Sequence, residues 1–96
     1  MALAYAFGQR LEVMAHRFGA DPARRGALER LEAFTALVRR LPFDVNLWKA
    51  RNVCYRVLHG VFGEFRSRAA KGDSKSQRWL DRFRALADHL LVRVAN

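Results

Sequence analysis

The stretch LPFDVNLWKARN, residues 41–52, closes one helical pattern and opens another. Proline disfavours helix for the residue before it, so an upstream helix ends at Leu41. Asp44 or Asn46 then supplies a side-chain acceptor for the orphan amides of a new helix start. Downstream, apolar residues recur three and four apart at Leu47, Ala50, Cys54, Leu58, Val61 and Phe65, the spacing of one helix face. Arg51 intrudes on that face. At 3.6 residues per turn it is flanked by Cys54, Leu58 and Phe62. A guanidinium stays charged, and burying it alone is too costly. Either its stem covers Leu47 or Leu58 while its head reaches water at the bundle end, or it is held by a partner; the expectation is the second, Arg51 as a structural clamp. It bonds either to an acidic side chain, with Asp44, Glu32 and Asp88 as candidates, or to helix-end carbonyls.

The same spacing extends outward in both directions. Leu3, Phe7, Leu11, Met14 and Phe18 form a first stripe, and Ala27, Leu31, Phe34, Val38 and Leu41 a second. Asp21-Pro22 suits a helix start between them, aspartate as acceptor and proline where no donor is wanted. Gly60 and Gly63 lie within the third segment, on the side away from its stripe, where they permit a bend or a close neighbour. Gly72 ends that helix, and Ser74 with Gln77 reads as a capping box. Trp79, Phe83, Leu86, Leu90 and Val94 are the fourth stripe. No segment alternates as a half-buried strand does. The expectation is a single all-α domain, an antiparallel up-down four-helix bundle with helices near 2–18, 22–41, 45–70 and 74–94.

Bulk composition mainly excludes. A chain of 96 residues with 51% hydrophobic content is long and apolar enough to bury a core. The single cysteine, Cys54, cannot build an internal disulfide framework and fits a reducing, cytoplasmic compartment as a buried, inert thiol. No apolar run approaches a membrane span. Histidines 16, 59 and 89 show no metal-ligand spacing, and no phosphate-cradling glycine loop is present, so no cofactor is expected. Glu29 and Glu32 sit near Arg25, Arg30 and Arg39 and read as surface ion pairs rather than a catalytic pair. Nothing assembles a nucleophile, a base and an orienting group, so the chain is expected not to be an enzyme.

The net charge of +9 is concentrated in the second half, where residues 49–96 hold eleven basic and four acidic side chains. Arg66, Arg68, Lys71, Lys75, Arg78 and Arg82 are the candidate anion-binding residues, close to a helix N-terminus that suits phosphate. Fifteen of the eighteen basic residues are arginine, which a codon bias alone would also produce. Weak, sequence-independent association with nucleic acid at low salt is the expectation for this half.

A resemblance adds to this reading. LPFDVNLWKARNVCYRVLHGVF resembles the C-terminal helical region of bacterial proteins related to glycoside hydrolases of family 57. The flanking RLEAFTALVRRLP and RSRAAKGDSKSQRWLDRFRALADHL fit that layout more loosely. About a dozen positions carry it, among them the Leu-Pro-Phe step, Leu47-Trp48, Ala50 and Asn52. Where the family pattern has glutamine, this chain has Arg51. The resemblance implies a non-catalytic helical tail of an α-glucan-acting or carbohydrate-related protein, since the family's catalytic barrel has no counterpart here. It implies as partner the barrel of the same parent protein, with Trp48 and Asn52 as candidate ligand or interdomain contacts. A basic module for nucleic acid or another acidic partner, and a bundle that self-associates as a homo-oligomer, are the alternatives.

Overall fold

The computed structural model describes residues 2–94, the Arg25 side chain excepted. The described residues are all-α: α1 (Ala2–Ala20), α2 (Arg25–Val38), α3 (Trp48–His59), α4 (Phe62–Ala70) and α5 (Ser74–His89). Five helices thus stand where four were expected. The third pattern, 45–70, is cut between His59 and Phe62. Gly60 adopts φ −101° and ψ −93°, a backbone setting outside the helical well. A Cβ on this residue would stand 3.1 Å from the Arg56 carbonyl oxygen, so the bend passes through the position that lacks one. Of the two uses open to these glycines, Gly60 takes the bend.

Other boundaries moved for similar local reasons. The second helix begins at Arg25 rather than Pro22, because residues 21–24 close a turn in which the Arg24 amide bonds the Asp21 carbonyl at 3.0 Å. It stops at Val38, ahead of Leu41, with Pro42 following. Asn46, not Asp44, serves the start of α3, its side-chain oxygen accepting from the Trp48 amide at 2.9 Å. At α5 the cap is Asp73 rather than Ser74, its carboxylate accepting from the Lys75 amide at 3.3 Å and the Ser76 hydroxyl at 2.6 Å. The Ser76 hydroxyl, more than any other neighbour, holds the Asp73 carboxyl below its ordinary range. Gln77 bonds Asp81 instead of closing a capping box.

Two helix ends share one geometry. After α4, the Asp73 amide reaches the Arg68 carbonyl and the Gly72 amide the Ala69 carbonyl. After α5, Val92 reaches Ala87 and Leu91 reaches Asp88 in the same way. Both are Schellman caps, which need a residue with positive φ. Gly72 fills the first at φ 96°, and Leu91 the second at φ 60°. The helix expected to run to Val94 therefore ends at His89.

The packing order departs from that of an antiparallel up-down bundle. Helices α1 and α2 form a hairpin, with Phe7 stacked on Phe34, and α4 and α5 form another, with Phe65 on Trp79 and Phe62 on Phe83. The pairs α1/α3 and α2/α5 are also neighbours, and both run parallel. Along α1 and α3, Gly8 meets Val45 and Glu12 meets Lys49 at a constant offset. Along α2 and α5, Pro22 meets Trp79 and Glu32 meets His89, again at one offset. The cause is the connection 39–47, longer than the expected links. It carries Phe43 onto Phe7, 6.1 Å between ring centroids, and so delivers α3 to the flank of α1 rather than α2.

The core runs the length of this 47 × 21 × 19 Å molecule. Phe18, Phe62, Phe65, Trp79 and Phe83 join α1, α4 and α5 in one aromatic cluster, and the Trp79 indole N–H donates to the Pro22 carbonyl at 2.7 Å. No helix among the described residues is long and apolar enough to cross a membrane.

Candidate functional site

Helix α3 presents opposite chemistry on its two sides. Ala50, Cys54 and Val57 face the core. Burial removes the Cys54 thiolate's hydration and pushes the thiol up to about 12, so it stays protonated and unreactive at neutral pH. On the other side, Trp48, Asn52, Tyr55 and His59 follow one another at four- and three-residue steps, all exposed. Trp48 is 63% exposed and Tyr55 44%. The two aromatic residues lie seven positions apart, roughly 10 Å along the helix axis, with the Asn52 amide between them. Trp48 and Asn52 were legible as candidates, while Tyr55 extends the row. The i, i+4, i+7 spacing was the signal available for it.

Arg51 stands between these two faces, partly buried. Its Nε donates to the Leu90 carbonyl at 2.7 Å, and Leu90 is the C-cap of α5. Of the two acceptor classes open to it, a helix-end carbonyl is the one present. A cation there also meets the negative end of the α5 dipole. Asp44 is exposed and makes no hydrogen bond or ion pair with Arg51 among the described residues.

The six basic candidates of the second half do not form a cation-only site, although four of them border one groove. Arg66 lies over the Phe62 ring at 6.0 Å and Arg68 over Phe65 at 5.8 Å. Such cation–π contacts direct the charges onto aromatic faces. Lys71 is an exposed C-cap residue of α4. Lys75, Arg78 and Arg82 border, with Arg68, a groove of about 630 Å³ beside α2 and α5. The same groove is bordered by Glu29, Glu32, Asp73 and Asp81, so four carboxylates offset four cations. It is not a positively charged cleft.

One cluster in that region escaped the sequence reading. Glu32, 14% exposed, accepts from Arg82 at 2.9 Å and lies 2.9 Å from the His89 imidazole. The local pairing expected with Arg30 and Arg39 is replaced by a link from α2 to α5, and the Arg25 side chain lies outside the described residues. The carboxylate is thereby engaged on both oxygens, which suits an interhelical tie. No group of three or more His, Cys, Asp or Glu side chains suited to a metal ion occurs among the described residues.

In comparisons with known proteins, no family model, no curated protein and no solved structure matches this chain.

Proposed function

We propose that the protein is a non-catalytic helical module, the tail of an α-glucan-acting or carbohydrate-related protein, and that the outer face of α3 is its glucan contact. In this reading α3 and α4 act as one bent rod of a four-rod bundle, which holds that face rigidly against α1. The observation that supports it is the exposed row Trp48, Asn52 and Tyr55. A large indole left in water is unfavourable unless something covers it, and aromatic residues dominate contact surfaces for that reason. A sugar ring packs its C–H face on an aromatic ring, while its hydroxyls bond to an amide and a phenol. The family resemblance centred on Leu47-Trp48 and Asn52 points to the same face.

Nucleic acid is the weaker reading. Of the second-half cations, Arg82 is bonded to Glu32, and Arg66 and Arg68 lie over phenylalanine rings. What remains is a diffuse charge that salt screens.

The test is a titration with a linear maltooligosaccharide, read by tryptophan fluorescence. Trp79 is buried and Trp48 exposed, so a ligand on α3 changes the Trp48 signal. A saturable change that vanishes in Trp48→Ala, with helicity kept, supports the proposal. A flat response, or one that survives in Trp48→Ala, overturns it.

A further inference from the structure

A different face gathers four cations against a single carboxylate. The hairpin of α1 and α2 encloses a groove of about 390 Å³ bordered by Arg10, Arg17, Arg24 and Arg30, with Met14 and Ala27 among its apolar lining. Asp21 is the one acidic side chain on its border. Among the described residues, none of the four guanidiniums makes an ion pair or a side-chain hydrogen bond.

Their arrangement follows from the hairpin register. Phe7 stacks on Phe34, so Arg10 falls opposite Arg30 and Arg17 opposite Arg24. Two like-charged pairs therefore mark the two ends of the groove, roughly 10 Å apart by helix rise. Four unpaired cations so placed repel one another and raise the local anion potential. The start of α2 adds to this: Arg24 is its N-cap, no side chain caps its amides, and its first turn holds no acidic residue. The 630 Å³ groove beside α5, in which carboxylates offset the cations, has none of this imbalance.

We propose that the α1–α2 groove binds a small, linear, multiply charged phosphate anion, of the length of a di- or triphosphate. Each end pair of guanidiniums takes one terminal phosphoryl group, since their planar forks match phosphate oxygens two at a time. A single orthophosphate spans only one end and binds more weakly. This site is independent of the aromatic row on α3.

Calorimetric titration with inorganic triphosphate tests it, at about 50 and 150 mM salt. One-to-one binding is expected, and the paired variant Arg17→Ala/Arg30→Ala weakens it by roughly tenfold or more. The variant Arg17→Lys/Arg30→Lys keeps the charge but loses the forked geometry, and falls between. A control pair, Arg66→Ala/Lys71→Ala, leaves the affinity unchanged. Equal weakening by both alanine pairs would reduce the effect to net charge and overturn the site. So would an absence of triphosphate binding, or a single-stranded oligonucleotide binding where triphosphate does not. Circular dichroism of each variant keeps loss of fold distinct from loss of binding.

Discussion

Arg51 shows how a charged residue in an apolar stripe is made tolerable. It stands one turn into α3, where its backbone amide already bonds the Leu47 carbonyl at 2.9 Å, and its side chain reaches the end of α5. The hydrogen bond to Leu90 satisfies one terminal carbonyl of that helix. Replacement by methionine keeps the length and removes the donor, so about 1–2 kcal/mol of stability is lost. Glutamine retains an N–H that can reach toward the carbonyl, and the loss is less than half as large. Chemical denaturation of both variants checks the order; an equal loss would mean that packing, not the bond, is what Arg51 contributes. Leu91 is the complementary case. It holds φ 60° while 64% exposed, so its side chain gains little from burial and its backbone carries the strain of a left-handed setting. Leu91→Gly is expected to stabilise by about 1 kcal/mol, read as a higher denaturation midpoint. The sequence announced Arg51 through its misfit with the stripe. Leu91 gave no such warning, because nothing about a leucine marks it for positive φ.

At the level of elements, the stripes were read well and the breaks were not. Leu11, Phe18, Leu31, Val38, Ala50, Cys54, Phe83, Leu86 and Leu90 are all buried as their spacing demands. Leu3, the first residue of its stripe, is exposed. Periodicity registers which face is apolar but is blind to a bend that keeps the apolar residues in phase, as the one at Gly60 nearly does. Val57, outside the expected stripe, is buried three residues beyond Cys54 on the same face of α3, while Leu58 and Val61 of that stripe are only half-buried. The two glycines of this region therefore separate sharply. Alanine at Gly60 must crowd the Arg56 carbonyl oxygen, 3.1 Å from its Cβ, and it destabilises by about 1–2 kcal/mol. Alanine at Gly63 meets nothing within 4 Å and lies in α4, so it stabilises by about 0.5–1 kcal/mol. Thermal denaturation of the two variants gives opposite signs if the bend is native. Two stabilising substitutions would instead mean that α3 and α4 are one continuous helix.

The whole molecule is arranged by what a pattern of stripes does not encode, namely which stripe meets which. Four apolar faces with short links suggest antiparallel neighbours, yet the 39–47 connection places α3 beside α1 and leaves α2 to run parallel with α5. The same unknown decided the fate of the candidate cations. Sequence position grouped Arg68, Lys75, Arg78 and Arg82, while tertiary packing set Glu29 and Glu32 of α2 against them. It also brought Arg10 and Arg17 of α1 to Arg24 and Arg30, residues that composition alone gave no reason to join. Trp48 and Asn52, singled out by the family resemblance, both lie on the exposed side of α3. If the parallel arrangement holds, its centre is the aromatic cluster, and Phe83 is the member common to most of it. Phe83 is 0% exposed and contacts the rings of Phe18, Phe62 and Trp79, which belong to α1, α4 and α5. Phe83→Ala leaves a cavity between elements distant in sequence, and about 3–5 kcal/mol is lost. Phe7, half-buried at the opposite end against Phe34 and Phe43, loses less when cut back to alanine. Paired denaturation curves of the two variants decide the matter: a loss below about 1 kcal/mol for Phe83→Ala would remove the cluster from the core and, with it, the packing order built around it.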